Sequence, residues 1–345
     1  MSGRIARWLG GLTTAIALVS LAPVPLAAQA AGERARAGTA SARTAATPAA
    51  RKWTVPRTPW GDPDLQGVWD YKTITPLERP RDFGDREHLT DEEAAALEAR
   101  AAKRLDEPPD ETVPATTIHA PYWTDPGRKV LDDKRTSLIV DPPDGRVPPL
   151  TPEAQKRAEL RRPVAREGGR ADGPEDRSSL ERCITWGLPT ASLPGLYNNN
   201  IQIVQAPGYV AIVHEMVHDV RLVSLDGRAR LGSGIRQWFG SSQGHWEGDT
   251  LVVETTNFSN KTNYRGSGAN LHLVERFTRV GAEAIGYQLT VDDPTTWSRS
   301  WTAAFPLRPS EGLIYEYACH EANIGLMDIL EVARDEEKAL EKARK

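Results

Sequence analysis

Tyr209-Val210-Ala211-Ile212-Val213-His214-Glu215-Met216-Val217-His218-Asp219-Val220-Arg221-Leu222-Val223-Ser224-Leu225 decides the fold, because it can be read as a helix or as a strand. His214-Glu215-Met216-Val217-His218 matches H-E-x-x-H, the zinc-protease pattern. On a helix the two histidines stand on one face, close enough to share one Zn²⁺, and the glutamate serves as base. On a strand they also share a face but lie about 13 Å apart, too far to chelate one ion. Apolar residues at 212, 213, 216, 217 and 220 fit a helix. Against it stand Val210, Ile212, Val213, Val217, Val220 and Val223, β-branched residues that favour strands. The run is also bounded by Pro207-Gly208 and Asp226-Gly227, and no N-cap opens it. The longer zinc motif needs glycine at 221 and histidine at 224, where the chain has Arg221 and Ser224. The strand is the expectation, and a zinc hydrolase using His214, His218 and Glu215 is the rival. As one continuous strand, the run puts His214, Met216, His218, Val220 and Leu222 on one side. Glu215, Val217, Asp219, Arg221 and Val223 then fall on the other.

The neighbourhood reads the same way. Tyr197–Gln205 ends at Ala206-Pro207-Gly208. Gly244-His245-Trp246 and Thr250–Thr255 flank the tight turn Glu247-Gly248-Asp249. Leu271–Val280, Ala284–Val291, Trp297–Leu307 and Leu313–Cys319 continue the series. Short strands at regular spacing predict a mainly β fold, an antiparallel meander forming a barrel or sandwich.

Residues 53–180, rich in Pro, Gly and charge, read as a segment wrapped around that core, with a few peripheral helices. Thr90 and Glu93 form a capping box that opens a helix to about Asp106, and Thr151-Pro152 starts a second. Thr136–Val140 is a short strand stopped by Pro142-Pro143-Asp144-Gly145, and 164–180 is a mobile loop. Residues 181–325 form the β core and 326–345 a surface helix, so 53–345 is one domain.

The beginning of the chain carries no core. Arg4 and Arg7, an uncharged apolar run to Leu26 and Ala28-Gln29-Ala30 follow the order of a cleavable signal peptide over 1–30. The Ala/Arg/Thr-rich stretch 31–52 is a disordered linker. No later stretch approaches the ~20 apolar residues of a membrane span. The expected location is periplasmic or secreted. With 43 Lys+Arg against 47 Asp+Glu, charge gives no sign of a nucleic-acid partner. Two cysteines, Cys183 and Cys319, predict one disulfide in an oxidising compartment.

Arg135-Thr136-Ser137-Leu138-Ile139-Val140-Asp141-Pro142-Pro143-Asp144-Gly145, Tyr197-Asn198-Asn199-Asn200, Gly244–Val253 and Tyr315-Glu316-Tyr317-Ala318-Cys319-His320-Glu321 resemble a family of secreted bacterial proteins of unassigned function, over most of 57–335. The resemblance implies a single extracytoplasmic domain and no particular chemistry. The meander is also loosely similar to a lipocalin-type barrel, a likeness of fold only.

Function is expected from side-chain chemistry. A polar barrel interior makes a pocket for a small organic or carbohydrate ligand. The candidate acid/base groups are Glu215, His218, Glu316 and His320; a disulfide at Cys319 would hold the backbone beside His320. Arg221, Glu275, Trp246, Trp301, Tyr315 and Asn199 are candidate ligand contacts. Glu275 and Arg276 face opposite sides of their strand, so each is expected to pair across strands. Ten tryptophans could line a sugar site or fill a core. No phosphate loop, G-x-S-x-G elbow or dinucleotide fingerprint is present. The expectation is cofactor-free binding, with hydrolysis, elimination or isomerisation if the ligand is turned over. An envelope interaction protein with the Pro-rich half as its arm is a third reading.

Overall fold

Alternation of buried and exposed residues along each strand makes a sheet with one apolar face, and here that face is turned inward by closure. The computed structural model describes residues 53–107, 124–160, 171–321 and 323–344. The predicted signal peptide and linker lie outside them, as does part of the predicted loop 164–180.

The strands are β1 (Gly67–Asp70), β2 (Ile139–Asp141), β3 (Asn200–Ala206), β4 (Tyr209–His214), β5 (Val220–Ser224), β6 (Ser241–Glu247), β7 (Thr250–Thr256), β8 (His272–Gly281), β9 (Ala284–Asp292) and β10 (Trp301–Pro309). Strands β3 to β10 follow one another around the sheet, and β1 sits between β3 and β10. The pairs Trp69↔Pro309 and Asp70↔Arg308 complete a nine-stranded barrel. β2 adds to the other end of β10 through Thr302↔Asp141 and Ala303↔Ile139. Every pairing is antiparallel except β5 to β6, which is parallel and rests on Ser224↔Gln243 alone. The predicted meander is therefore a barrel and not a sandwich. Its closing strand comes from the wrapping segment, because β3 and β10 would otherwise expose unpaired edges.

Inside, Val210 and Ile212 of β4, Leu251 and Val253 of β7, Leu273 and Phe277 of β8 and Leu289 and Val291 of β9 are almost fully buried. Each such side chain contributes about 1.5–3 kcal/mol. Trp297 and Trp301 meet edge to face at 6.3 Å in the core, and the Trp69 indole N–H donates to the Leu65 carbonyl. Trp69, Trp297 and Trp301 thus fill the core.

The helices are α1 (Asp91–Asp106), α2 (Pro152–Leu160) and α3 (Ile324–Arg344). The Thr90/Glu93 capping box forms as predicted. Thr151 caps α2, its hydroxyl accepting from the Ala154 N–H at 3.1 Å. A small cluster of Leu89, Ala94 and Val130 seats α1. Cys183 and Cys319 are joined, with Cα atoms 5.5 Å apart.

Two expectations fail. Tyr209–Leu225 is not one strand but two, β4 and β5, joined by the turn Glu215–Asp219 with a 3-10 segment at Met216–His218. Val217 sits there at φ 55, in the left-handed region that a β-branched residue rarely enters. The turn resets the alternation, so His214 and Arg221, expected on opposite faces, both point inward. The second failure is Leu313–Cys319, which pairs with no strand. Both edges of β10 are already taken by β9 on one side and β2 and β1 on the other. Leu313 and Tyr315 stay exposed.

Candidate functional site

Inward positions of a small barrel are ordinarily apolar, so polar groups found there need a reason. Arg221 follows from the turn just described. Glu275 occupies the inward position between Leu273 and Phe277, and Tyr287 that between Ile285 and Leu289. All three are buried. Arg221 grips Glu275 bidentately, with Nη1 on Oε2 and Nη2 donating to Oε1 at 2.9 Å. Tyr287 donates its hydroxyl to Oε1 at 2.7 Å, and Ser192 approaches the same oxygen at 3.4 Å. Burial opposes the charge on Arg221, but the carboxylate beside it wins and holds its pKa above the ordinary value. Burial first, then Glu275, pushes the Tyr287 phenol well up.

His214 stands at the end of β4 in the same region. Its Nδ1 lies 2.8 Å from the Ala191 carbonyl. A carbonyl only accepts, so Nδ1 carries the proton and Nε2 presents a bare lone pair. Among the described residues that Nε2 is buried with no partner, as are Nε of Arg221 and Oδ1 of Asn200. Burial, then the charge of Arg221, lowers the imidazole pKa to about 3, although the Ala191 carbonyl works the other way. The ring is therefore neutral at any ordinary pH. The Phe239 ring meets it edge-on, 5.5 Å between centroids.

One strap of chain, residues 185–193, covers this network. Ala191 also accepts from the Tyr71 hydroxyl at 2.9 Å, so Tyr71, His214 and Glu275 all bond the Thr190–Ser192 turn. The strap is pinned at its start, where the Asp219 carboxylate accepts from the Thr185 hydroxyl at 2.8 Å and the Trp186 N–H at 2.9 Å. Glu215, buried at the opening of the hairpin turn, accepts from the Asn200 amide at 2.8 Å. Burial, then Glu215, raises the Tyr71 phenol.

Of the predicted site residues, the structure gathers His214, Glu215, Arg221 and Glu275. Glu275 and Arg276 pair across strands as expected, Arg276 donating to Glu247 at 2.6 Å on the outer face. The backbone of His218 lies in the turn at Met216–His218. Glu316, His320 and Tyr315 are exposed on the coil before α3. Trp301 is wholly buried among Tyr264 and Trp297, and Trp246 is half-buried against the core. Asn199 clamps a loop, its amide donating to the Asp125 and Gly195 carbonyls. The helix that the H-E-x-x-H reading requires is not formed, since β4 runs into a turn. Among the described residues no three His, Cys, Asp or Glu are arranged to hold a metal ion.

Sequence reading missed Tyr71, Ala191, Ser192 and Tyr287. The alternation of Tyr287 with Ile285 and Leu289 was a usable signal. The strap was not, because a backbone carbonyl leaves no mark in sequence. The chain matches no known family model, no curated protein and no solved structure, so the resemblance to secreted bacterial proteins gains no support from those comparisons.

Proposed function

We propose that this is an extracytoplasmic barrel that binds a small polar organic molecule at the buried network beneath the 185–193 strap, with His214 as proton acceptor. One observation carries the reading: a neutral imidazole with an unpartnered Nε2, held by Ala191 beside the Arg221–Glu275 pair. Buried polar atoms without partners, and ionisable groups far from their ordinary pKa, concentrate at functional sites. His214 would accept a proton or hydrogen bond from the ligand, and Arg221 would orient a ligand oxygen. That supports hydrolysis, elimination or isomerisation without an organic cofactor. The disulfide suits an oxidising compartment. Among the described residues no helix is long and apolar enough to cross a membrane. The closed barrel is compatible with a lipocalin-like fold.

Reaching the site requires the strap to open, so ligand and strap compete for the same groups. The test is a thermal-shift screen of hydroxy acids, lactones and small amides on wild type and His214→Gln. The glutamine keeps a donor for the Ala191 carbonyl and removes the Nε2 lone pair. Ligands that raise the melting temperature of wild type alone support the reading. Ligands that stabilise both proteins equally, or none at all, overturn it.

A further inference from the structure

Away from the lumen, a cleft of about 650 Å³ opens between α2, the β7–β8 connection and the β9–β10 connection. Its framework is rigid for stated reasons. The buried Asp293 carboxylate accepts from Ser267 at 2.6 Å and Thr296 at 2.8 Å through Oδ2, and from the Thr295 N–H and hydroxyl through Oδ1. That acid is fully engaged and joins two walls. Arg157 ties the third wall in, its Nη2 donating to the Thr295 carbonyl at 2.9 Å. Gly268 fits because a Cβ there would meet the Thr262 carbonyl oxygen at 2.6 Å.

The groups left over define what the cleft can hold. Glu153 and Asn260 line it, both exposed, and neither side chain has a hydrogen-bond or ion-pair partner among the described residues. Glu153 and Arg157 stand four residues apart on α2 yet do not pair with each other. Asn270 uses only its amide nitrogen, on Thr295 at 3.3 Å, which leaves its oxygen to accept. The free inventory is one carboxylate, part of one guanidinium and two side-chain amides, set around an Asp293 carboxylate whose acceptor capacity is already taken. Free donors and free acceptors stand side by side in it. Vicinal hydroxyls, each donating and accepting at once, match it.

We infer that this cleft is a second binding site, independent of the lumenal one, for a neutral polyhydroxylated ligand of mono- or disaccharide size. The volume falls within the roughly 300–1,000 Å³ of small-molecule sites. None of the residues that bind the ligand comes from the barrel interior.

Saturation-transfer NMR on the full chain tests this with maltose, cellobiose and chitobiose, against glutamate and putrescine as charged controls. Transfer to at least one sugar is expected, with affinity weakened about tenfold or more in Glu153→Gln/Asn260→Ala and unchanged in His214→Gln. Both substituted side chains are exposed, so the double variant should keep the wild-type melting temperature. No transfer to any sugar, stronger binding of either charged control, or sugar binding indifferent to the double variant overturns the proposal. Sugar binding lost only in His214→Gln places the sugar in the lumen and overturns it equally.

Discussion

A histidine whose folded pKa is depressed to about 3 from an ordinary 6.5 stays neutral in the native state while the unfolded chain takes up a proton. Between those two values the unfolded state binds more protons, so stability falls as pH falls below about 6.5. One proton corresponds to about 1.4 kcal/mol per pH unit. Urea denaturation of wild type from pH 6 to 4 should show a component of that slope which His214→Gln lacks; parallel pH dependences of the two proteins would rule it out. The Arg221–Glu275 pair makes a second prediction at this scale. Neutralising one member strands a buried charge, so Glu275→Gln should cost about 3–5 kcal/mol. Tyr287→Phe removes one hydrogen bond to a charged group and should cost about 1.5–3 kcal/mol. Equal losses in the two variants would mean that the pair is not charged inside the barrel. The pairing role of Glu275 was legible, since its neighbour Arg276 had to face the other way. Its partner was not, because Arg221 comes from a strand 54 residues away in sequence.

Elements were legible where local chemistry is complete. The Thr90/Glu93 box and the Thr151-Pro152 start name their helices because capping satisfies N–H groups within a few residues. The Glu247-Gly248-Asp249 turn names its hairpin, with Gly248 at φ 61. The hairpin at Glu215–Asp219 was hidden, because a valine at φ 55 is not a turn signal. The seam between β5 and β6 is the weakest joint of the barrel wall, one parallel pair, and Gly244 allows the close approach. A Cβ there would meet Val223 Cγ1 at 2.8 Å and Leu225 Cδ2 at 2.9 Å. Gly244→Ala should therefore destabilise by about 1–3 kcal/mol through overpacking, read as a lower urea midpoint. A variant as stable as wild type would show that the seam yields freely.

At the scale of the whole molecule the disulfide spans 136 residues and ties the coil before α3 to the chain entering the strap. Closing a loop of that size is worth about 5 kcal/mol in the chain-entropy model. Cys183→Ala/Cys319→Ala should lose up to that amount, and its amide hydrogen exchange should rise first along 311–344. Exchange rising first in β3–β10 instead would show that the bond holds the barrel itself. By itself the sequence determined the β class, most of the strand series between Tyr197 and Leu307 but not the hairpin that splits Tyr209–Leu225, the caps of α1 and α2 and the cysteine pairing. Each of these follows from periodicity, turn residues or a count of two, which are local or nearly so. Only the tertiary structure decided that the wrapping segment closes the barrel, that Leu313–Cys319 is left out of it, and that His214, Arg221 and Glu275 meet under Ala191 and Ser192. Those outcomes depend on which edges remain free and which backbone groups come near, and both are set by closure of the ring.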